Sequence, residues 1–143
     1  MRADENTISF EVRGLPIAQG SSRAWVVAGK PIITSTAKGL SSWRRLVADV
    51  AQQYAPEQLW DGPIRIDLAF GVPKPKSAPK TRRVWPDKRP DLDKLTRAVL
   101  DALTHIVFQD DSQVVEINAT KDYGPPGVAI ELHRILEAEM ASE

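Results

Sequence analysis

Residues 73–90, PKPKSAPKTRRVWPDKRP, can form neither a helix nor a central strand, because five of the chain's eleven prolines fall within them. Each proline removes a backbone donor and fixes φ near −65°, so an exposed, extended loop is expected here. The fold must be assembled from what lies on either side. The same segment holds seven of the nineteen Lys and Arg residues (Lys74, Lys76, Lys80, Arg82, Arg83, Lys88 and Arg89) against a single acid, Asp87. The 143-residue chain as a whole has no formal net charge, so the remainder is acidic and a polyanion is attracted to one segment only.

Before the loop, Ile8, Phe10 and Val12 alternate with Ser9, Glu11 and Arg13, the period of a half-buried strand. AWVVAGKPIITS has two β-branched runs around Gly29-Lys30-Pro31 and reads as a hairpin or a loop with strand character. From Ser41 the spacing changes to Trp43, Leu46, Val47, Val50, Ala51 and Tyr54, an amphipathic helix ending near Pro56. Ile64, Ile66, Leu68 and Phe70 alternate again, and that strand is expected to run out at Gly71. After the loop, Leu92, Leu95, Val99, Ala102 and Leu103 mark the buried face of a helix from about Leu92 to His105. VVEINATKDY and VAIEL, joined through KDYGPPG, look like an antiparallel pair, and ILEAEMASE like an acidic tail or frayed helix. Trp25, Trp43 and Trp60 are expected in a core or interface. This order predicts an α+β fold, a single domain over 1–143 with a mixed sheet packed by two main helices.

Composition narrows the chemistry. Without cysteine there is no disulfide framework, thiolate metal site or cysteine nucleophile, and two histidines cannot build a histidine-rich centre. No run of about 18 apolar residues is present and MRADENTISF lacks an apolar signal region, so a cytoplasmic protein without a membrane association is expected. G-x-S-x-G, G-x-G-x-x-G and P-loop patterns are missing; Ala24 stands where Gly29-Lys30 would require the first P-loop glycine.

Carboxylates must then do the work, and they concentrate in residues 88–121. Asp91 and Asp93 would point about 200° apart within one regular helix. They converge only if Asp91 lies outside it, and Pro90 before it makes Asp91 a plausible N-cap. Helix N-terminal amides also favour anions there. Counting by two along the following strand, Asp111 shares a phase with Val115, Ile117 and Ala119, which aims it toward the second helix, while Asp110 points into the turn or the surroundings of a bound ion. Oxygen donors of this kind suit Mg²⁺ or Mn²⁺, which activate water and neutralise charge during phosphodiester cleavage. D-x-D by itself is more often a cap, Asp93–Arg97 and Arg97–Asp101 have the spacing of surface ion pairs, and Asp110-Asp111 suits an ordinary turn. The adjoining basic loop, with Trp85 placed to stack on a base, favours the phosphate reading. His105 suits the end of the helix dipole, and His133 lies on a strand's polar phase.

PDLDKLTRAVLDAL followed by QDDSQVVEINATK resembles the RusA family of Holliday junction resolvases, common in bacteriophages and prophages; the likeness is strong over about 90–121 and looser over 8–70. It implies a RusA-like fold and a homodimeric, Mg²⁺-dependent endodeoxyribonuclease that nicks four-way DNA junctions in pairs. By position, the family's catalytic and metal-binding aspartates fall on Asp91, Asp93 and Asp111, with Asp110 beside them. Where the family has Asn and a functional lysine, this chain has Lys94 and Arg97, which leaves them supporting roles; the high pKa of an arginine argues against proton donation. Two other readings are carried: a junction-binding module that has kept the fold without the activity, and a D-x-D glycosyltransferase, disfavoured because 143 residues leave little room for nucleotide-sugar and acceptor sites.

Overall fold

Alternation places Ile8, Phe10 and Val12 on one face of β1 (Thr7–Arg13), and all three are buried. The computed structural model describes residues 5–20, 22–27, 30–35 and 39–136, the stretches 22–27 and 30–35 by their backbone alone. These two form the expected hairpin, β2 (Ser22–Val27) antiparallel to β3 (Lys30–Ser35), as a separate two-stranded sheet. The side chain of Trp25, and the tail from residue 137, lie outside the described residues.

The three-and-four spacing from Ser41 becomes α1 (Leu40–Gln52), which buries Leu40, Trp43, Val47 and Ala51. Leu46 and Tyr54 from the same stripe stay exposed, although the Tyr54 ring stacks on Phe10 at 5.2 Å. The central strand is β4 (Ile64–Val72), where Ile64, Ile66, Leu68, Phe70 and Val72 all face inward. It does not stop at Gly71, since Gly71 itself is paired. A Cβ there would lie 2.2 Å from the carbonyl oxygen of Pro125, so the glycine is what lets another segment cross the strand. Beyond the loop come α2 (Leu92–Leu103), a short 3₁₀ turn (Asp111–Gln113), β5 (Val114–Tyr123) and β6 (Gly127–Arg134).

The four-stranded sheet has the order β1-β6-β4-β5, with β5 parallel to β4 and the other neighbours antiparallel. The expected pairing of the last two strands is therefore corrected: β4 stands between them. Their connection, Gly124-Pro125-Pro126, passes over Gly71, held by Gly124 N–H on the Val72 carbonyl (3.0 Å) and Gly14 N–H on that of Pro126 (3.2 Å). A β4–α2–β5 crossover places β5 parallel to one side of β4, and β6 returns antiparallel on its other side. One sheet face packs against α1 and α2 in a single core that includes Trp43, Trp60, Leu95 and Phe108, which makes the molecule the predicted mixed α+β domain. Among the described residues β5 is an edge strand. Its register shifts between Ile64 and Arg65, leaving Val115 unpartnered, and Val115 and Ile117 are 63% and 48% exposed rather than covered by α2.

Candidate functional site

Pro90 disfavours helical backbone at the residue before it, and Asp91 follows as the N-cap of α2 with extended angles (φ −73°, ψ 133°). An N-cap aspartate ordinarily accepts from an amide in the first turn. Asp91 accepts no such bond; its carboxylate is half exposed and lies 3.6 Å from the Lys94 ammonium. Asp93 follows in the first turn, exposed. Two carboxylates thus flank uncapped amides, where the helix end favours negative charge. Neither of the ion pairs that the spacing offers Arg97, with Asp93 or with Asp101, forms among the described residues. Asp101 is taken by Arg44 of α1 at 3.5 Å, and Arg97 remains exposed one turn beyond Asp93.

The second pair of aspartates is built differently. Asp110 caps the 3₁₀ turn, its carboxylate accepting from Ser112 N–H at 2.8 Å, and Gln113 closes a capping box by accepting from Asp110 N–H at 3.0 Å. The Ser112 amide bond holds the Asp110 carboxyl below the ordinary carboxylate value, with the Ser112 and Asp111 side chains and His105 acting in the same direction. The Gln113 amide also accepts from Gln109 N–H (3.0 Å) and donates to the carbonyls of Trp60 (2.9 Å) and Gly62 (3.0 Å). It pins the turn to the end of the sheet. Asp111 is exposed at the tip. His105, expected on the last turn of the helix, instead lies just past the C-cap Thr104 in the left-handed region (φ 69°) and bonds Phe108 O at 2.7 Å.

Asp111 does not converge on Asp91 and Asp93 within one chain. The 3₁₀ turn sits at the C-terminal end of α2, and twelve residues at 1.5 Å each put about 18 Å between it and Asp91. Among the described residues, the group of three ligating side chains that does meet, with donor atoms within 4.8 Å of one another, is Asp67, Glu131 and His133. It lies on the opposite sheet face. His133 Nε2 is 3.4 Å from Glu131 and 3.7 Å from Asp67, and Arg65 is 3.6 Å from Asp67, so side chains of β4 and β6 meet there.

All seven cations of the basic loop are exposed. Arg83 is already engaged: it bonds Asp122 of β5 and stacks over Trp85, 4.2 Å from the ring centre. That contact lowers the Asp122 carboxyl below its ordinary value, and it ties the loop to the same strand end that faces Asp91.

The family model of endodeoxyribonuclease RusA matches residues 14–133. This chain belongs to the RusA endodeoxyribonuclease family. YqaN of Bacillus subtilis (strain 168), an uncharacterized protein, is 35% identical over 125 residues, covering 81% of this chain and 87% of its own length. The matched span of the RusA model contains every candidate site residue and the basic loop. No helix among the described residues is long and apolar enough to cross a membrane.

Sequence reasoning passed over one residue that holds the segment leading into Asp91. Lys121 pairs with Phe70 and so stands on the helix-covered face of β5, and its ammonium donates to the carbonyls of Lys88 and Pro90, each at 2.7 Å. It fastens the two residues flanking Arg89 to the sheet and thereby sets where Asp91 begins. The signal was available: Ile117, Ala119 and Lys121 share one phase, and a lysine ending an inward phase calls for polar partners.

Proposed function

We propose that the protein is a homodimeric, Mg²⁺-dependent resolvase of four-way DNA junctions in which each site is assembled from two chains. The observation that carries this reading is the division of the carboxylates: Asp91 and Asp93 stand uncapped at one end of α2, and Asp111 is presented at the other. The exposed edge of β5 supplies a way to unite them. Two copies paired antiparallel along β5 about Ile117 bury the exposed Val115 and Ile117 and set Asp111 of one copy against the Tyr123 end of the other. That end is where Lys121 touches the residues before Asp91.

The donor set fits a hard divalent cation, since Asp91, Asp93 and Asp111 offer only oxygen and Asp91 is not engaged in capping. Bound there, Mg²⁺ or Mn²⁺ supplies water activation and neutralises charge on the cleaved phosphodiester. Asp110 fixes the turn that presents Asp111. Lys94 and Arg97 face the phosphate as cations, and Lys74, Lys76, Lys80, Arg82, Arg83, Lys88 and Arg89 hold the DNA backbone. A second reading, a junction-binding module without activity, is favoured by one contact: the Lys94 ammonium lies 3.6 Å from Asp91, where it opposes a cation.

Complementation separates these readings. Asp93→Asn and Asp111→Asn are each expected to reduce nicking of a labelled four-way junction in Mg²⁺ by on the order of 10³-fold. Mixing and re-annealing the two variants restores one intact site per mixed dimer, and with it single-strand nicks. No restoration would place all three aspartates in one chain or remove Asp111 from the site. Junction binding without nicks by the wild type, with no uptake of Mn²⁺, would establish the inactive module.

A further inference from the structure

A cleft of about 760 Å³ opens beside Asp91, within the roughly 300–1,000 Å³ of pockets that hold small organic molecules. Its walls are apolar: Leu15, Ile17, Pro75, Pro86 and Tyr123 line it, and Leu15 is 55% exposed. Its rim is charged, with Lys88, Arg89 and Lys94 beside Asp91. The wall formed by residues 15–20 is fastened to the first turn of α2 by Gln19 N–H on the Lys94 carbonyl, at 3.0 Å. Gln19 also lines the cleft; its Oε1 accepts from Arg44 at 3.4 Å, and its amide nitrogen is a donor.

The ligand that matches this surface has a flat apolar body, a hydrogen-bonding edge and a negative charge at one end. A nucleotide has all three, and the cleft shares Asp91 and Lys94 with the candidate site. A base stacked within a duplex cannot enter a cleft, but unstacking is least costly where pairing is already interrupted, as at the centre of a junction. We propose that this cleft is a nucleobase site, which receives the base of a nucleotide next to the scissile phosphate as it unstacks at the branch point. The inference rests on the resolvase reading and adds a contact to it. Proline and leucine faces hold the ring, the cationic rim holds its phosphate, and selection at the cut site then depends on which bases unstack and fit.

The test places 2-aminopurine on either side of the scissile phosphate of a four-way junction, bound by the full-length protein with Ca²⁺ in place of Mg²⁺. A severalfold rise in fluorescence on binding is expected at one of the two positions. Leu15→Glu, a change at an exposed wall residue, should suppress that rise and lower kcat/KM for nicking by about tenfold, the scale of losing one apolar contact to a substrate. On a junction with an abasic nucleotide at the same position, variant and wild type should nick equally. Binding and nicking by the wild type with unchanged fluorescence at both positions would overturn the nucleobase site alone. An equal loss by the variant on intact and abasic junctions would also overturn it, showing that the wall acts on backbone or fold. Failure of the wild type to bind the junction at all would overturn the resolvase reading on which the site depends.

Discussion

Asp91 with Asp93 and Asp110 with Asp111 open consecutive elements of the chain, and their carboxylates are put to different uses. Asp110 is absorbed by its own backbone: Ser112 N–H occupies it, Gln113 closes the box, and the turn is bolted to Trp60 and Gly62. Asp91 occupies the same N-cap position and does not cap. A missing cap forgoes about 1 kcal/mol of helix stability. The Asp91 carboxylate instead faces the Lys94 ammonium at 3.6 Å, with Asp93 exposed beside it. Residue type and position alone therefore do not separate an aspartate that caps from one that does not. What separates them is whether the side chain satisfies the nearest amides, as Asp110 does, or turns to another partner, as Asp91 does with Lys94.

The largest effect is expected at the uncapped pair. Asp93→Asn should reduce nicking of a four-way junction by on the order of 10³-fold, the scale of several kcal/mol of lost charge stabilisation, while junction affinity in Ca²⁺ and the melting temperature stay nearly unchanged. Asp110→Ala should do the reverse, lowering stability through loss of the cap and reducing nicking only as far as Asp111 is displaced. If both variants lose activity and stability together, the distinction between the two pairs fails.

Much of this was legible because it depends on local periodicity. The strands at Thr7–Arg13 and Ile64–Val72, both helices and the N-cap at Asp91 follow from spacing and from Pro90. What escaped was set by partners distant in sequence. The last two strands are separated by β4, which no alternation within them records, and Gly71 is a paired residue of β4 kept free of a side chain by the Pro125 carbonyl above it, not the end of the strand. The phase of β5 aimed Asp111 at α2, but a 3₁₀ turn and a register shift come between the aspartate and the strand's later residues. The seven loop cations read alike in sequence, whereas Arg83 is held by Asp122 and Trp85. Asp91 and Asp111 stand at opposite ends of α2, a separation that follows from the crossover between β4 and β5 and that a period of 3.6 could not supply.

Intermediate effects are expected where each pair is anchored. Gln113→Ala removes four hydrogen bonds at a half-buried amide and should destabilise the fold by about 2 kcal/mol in denaturant unfolding, with the turn loosened around Asp111. Lys121→Met leaves the Lys88 and Pro90 carbonyls without their ammonium and should lower stability by a similar amount, about 2 kcal/mol. The two differ in what else changes. Lys121→Met should weaken Mn²⁺ binding through Asp91 and be partly rescued by Lys121→Arg; unchanged Mn²⁺ affinity would show that the tether supports the sheet and not the carboxylate.

The smallest effect is a titration at the absorbed aspartate. The Ser112 amide, followed by the Ser112 and Asp111 side chains and His105, lowers the Asp110 carboxyl below its ordinary value of 3.8. A lowered folded value means that the capping contribution is complete above the ordinary value and is lost as pH falls through the lowered one. The Ser112 amide proton should therefore keep its hydrogen-bonded chemical shift at pH 4 and move only in stronger acid, with a midpoint below 3.8. Asp122, lowered mainly by Arg83, should behave likewise, its titration releasing the basic loop from β5 and moving the Trp85 indole resonance. Raising the salt concentration distinguishes the two, because the Arg83 pair joins opposite charges in solvent and is screened, whereas the Asp110 cap is a short bond to a neutral amide. A Ser112 midpoint at or above 3.8 would mean that the cap does not hold Asp110, and that the two aspartate pairs are less different than their backbone geometry makes them.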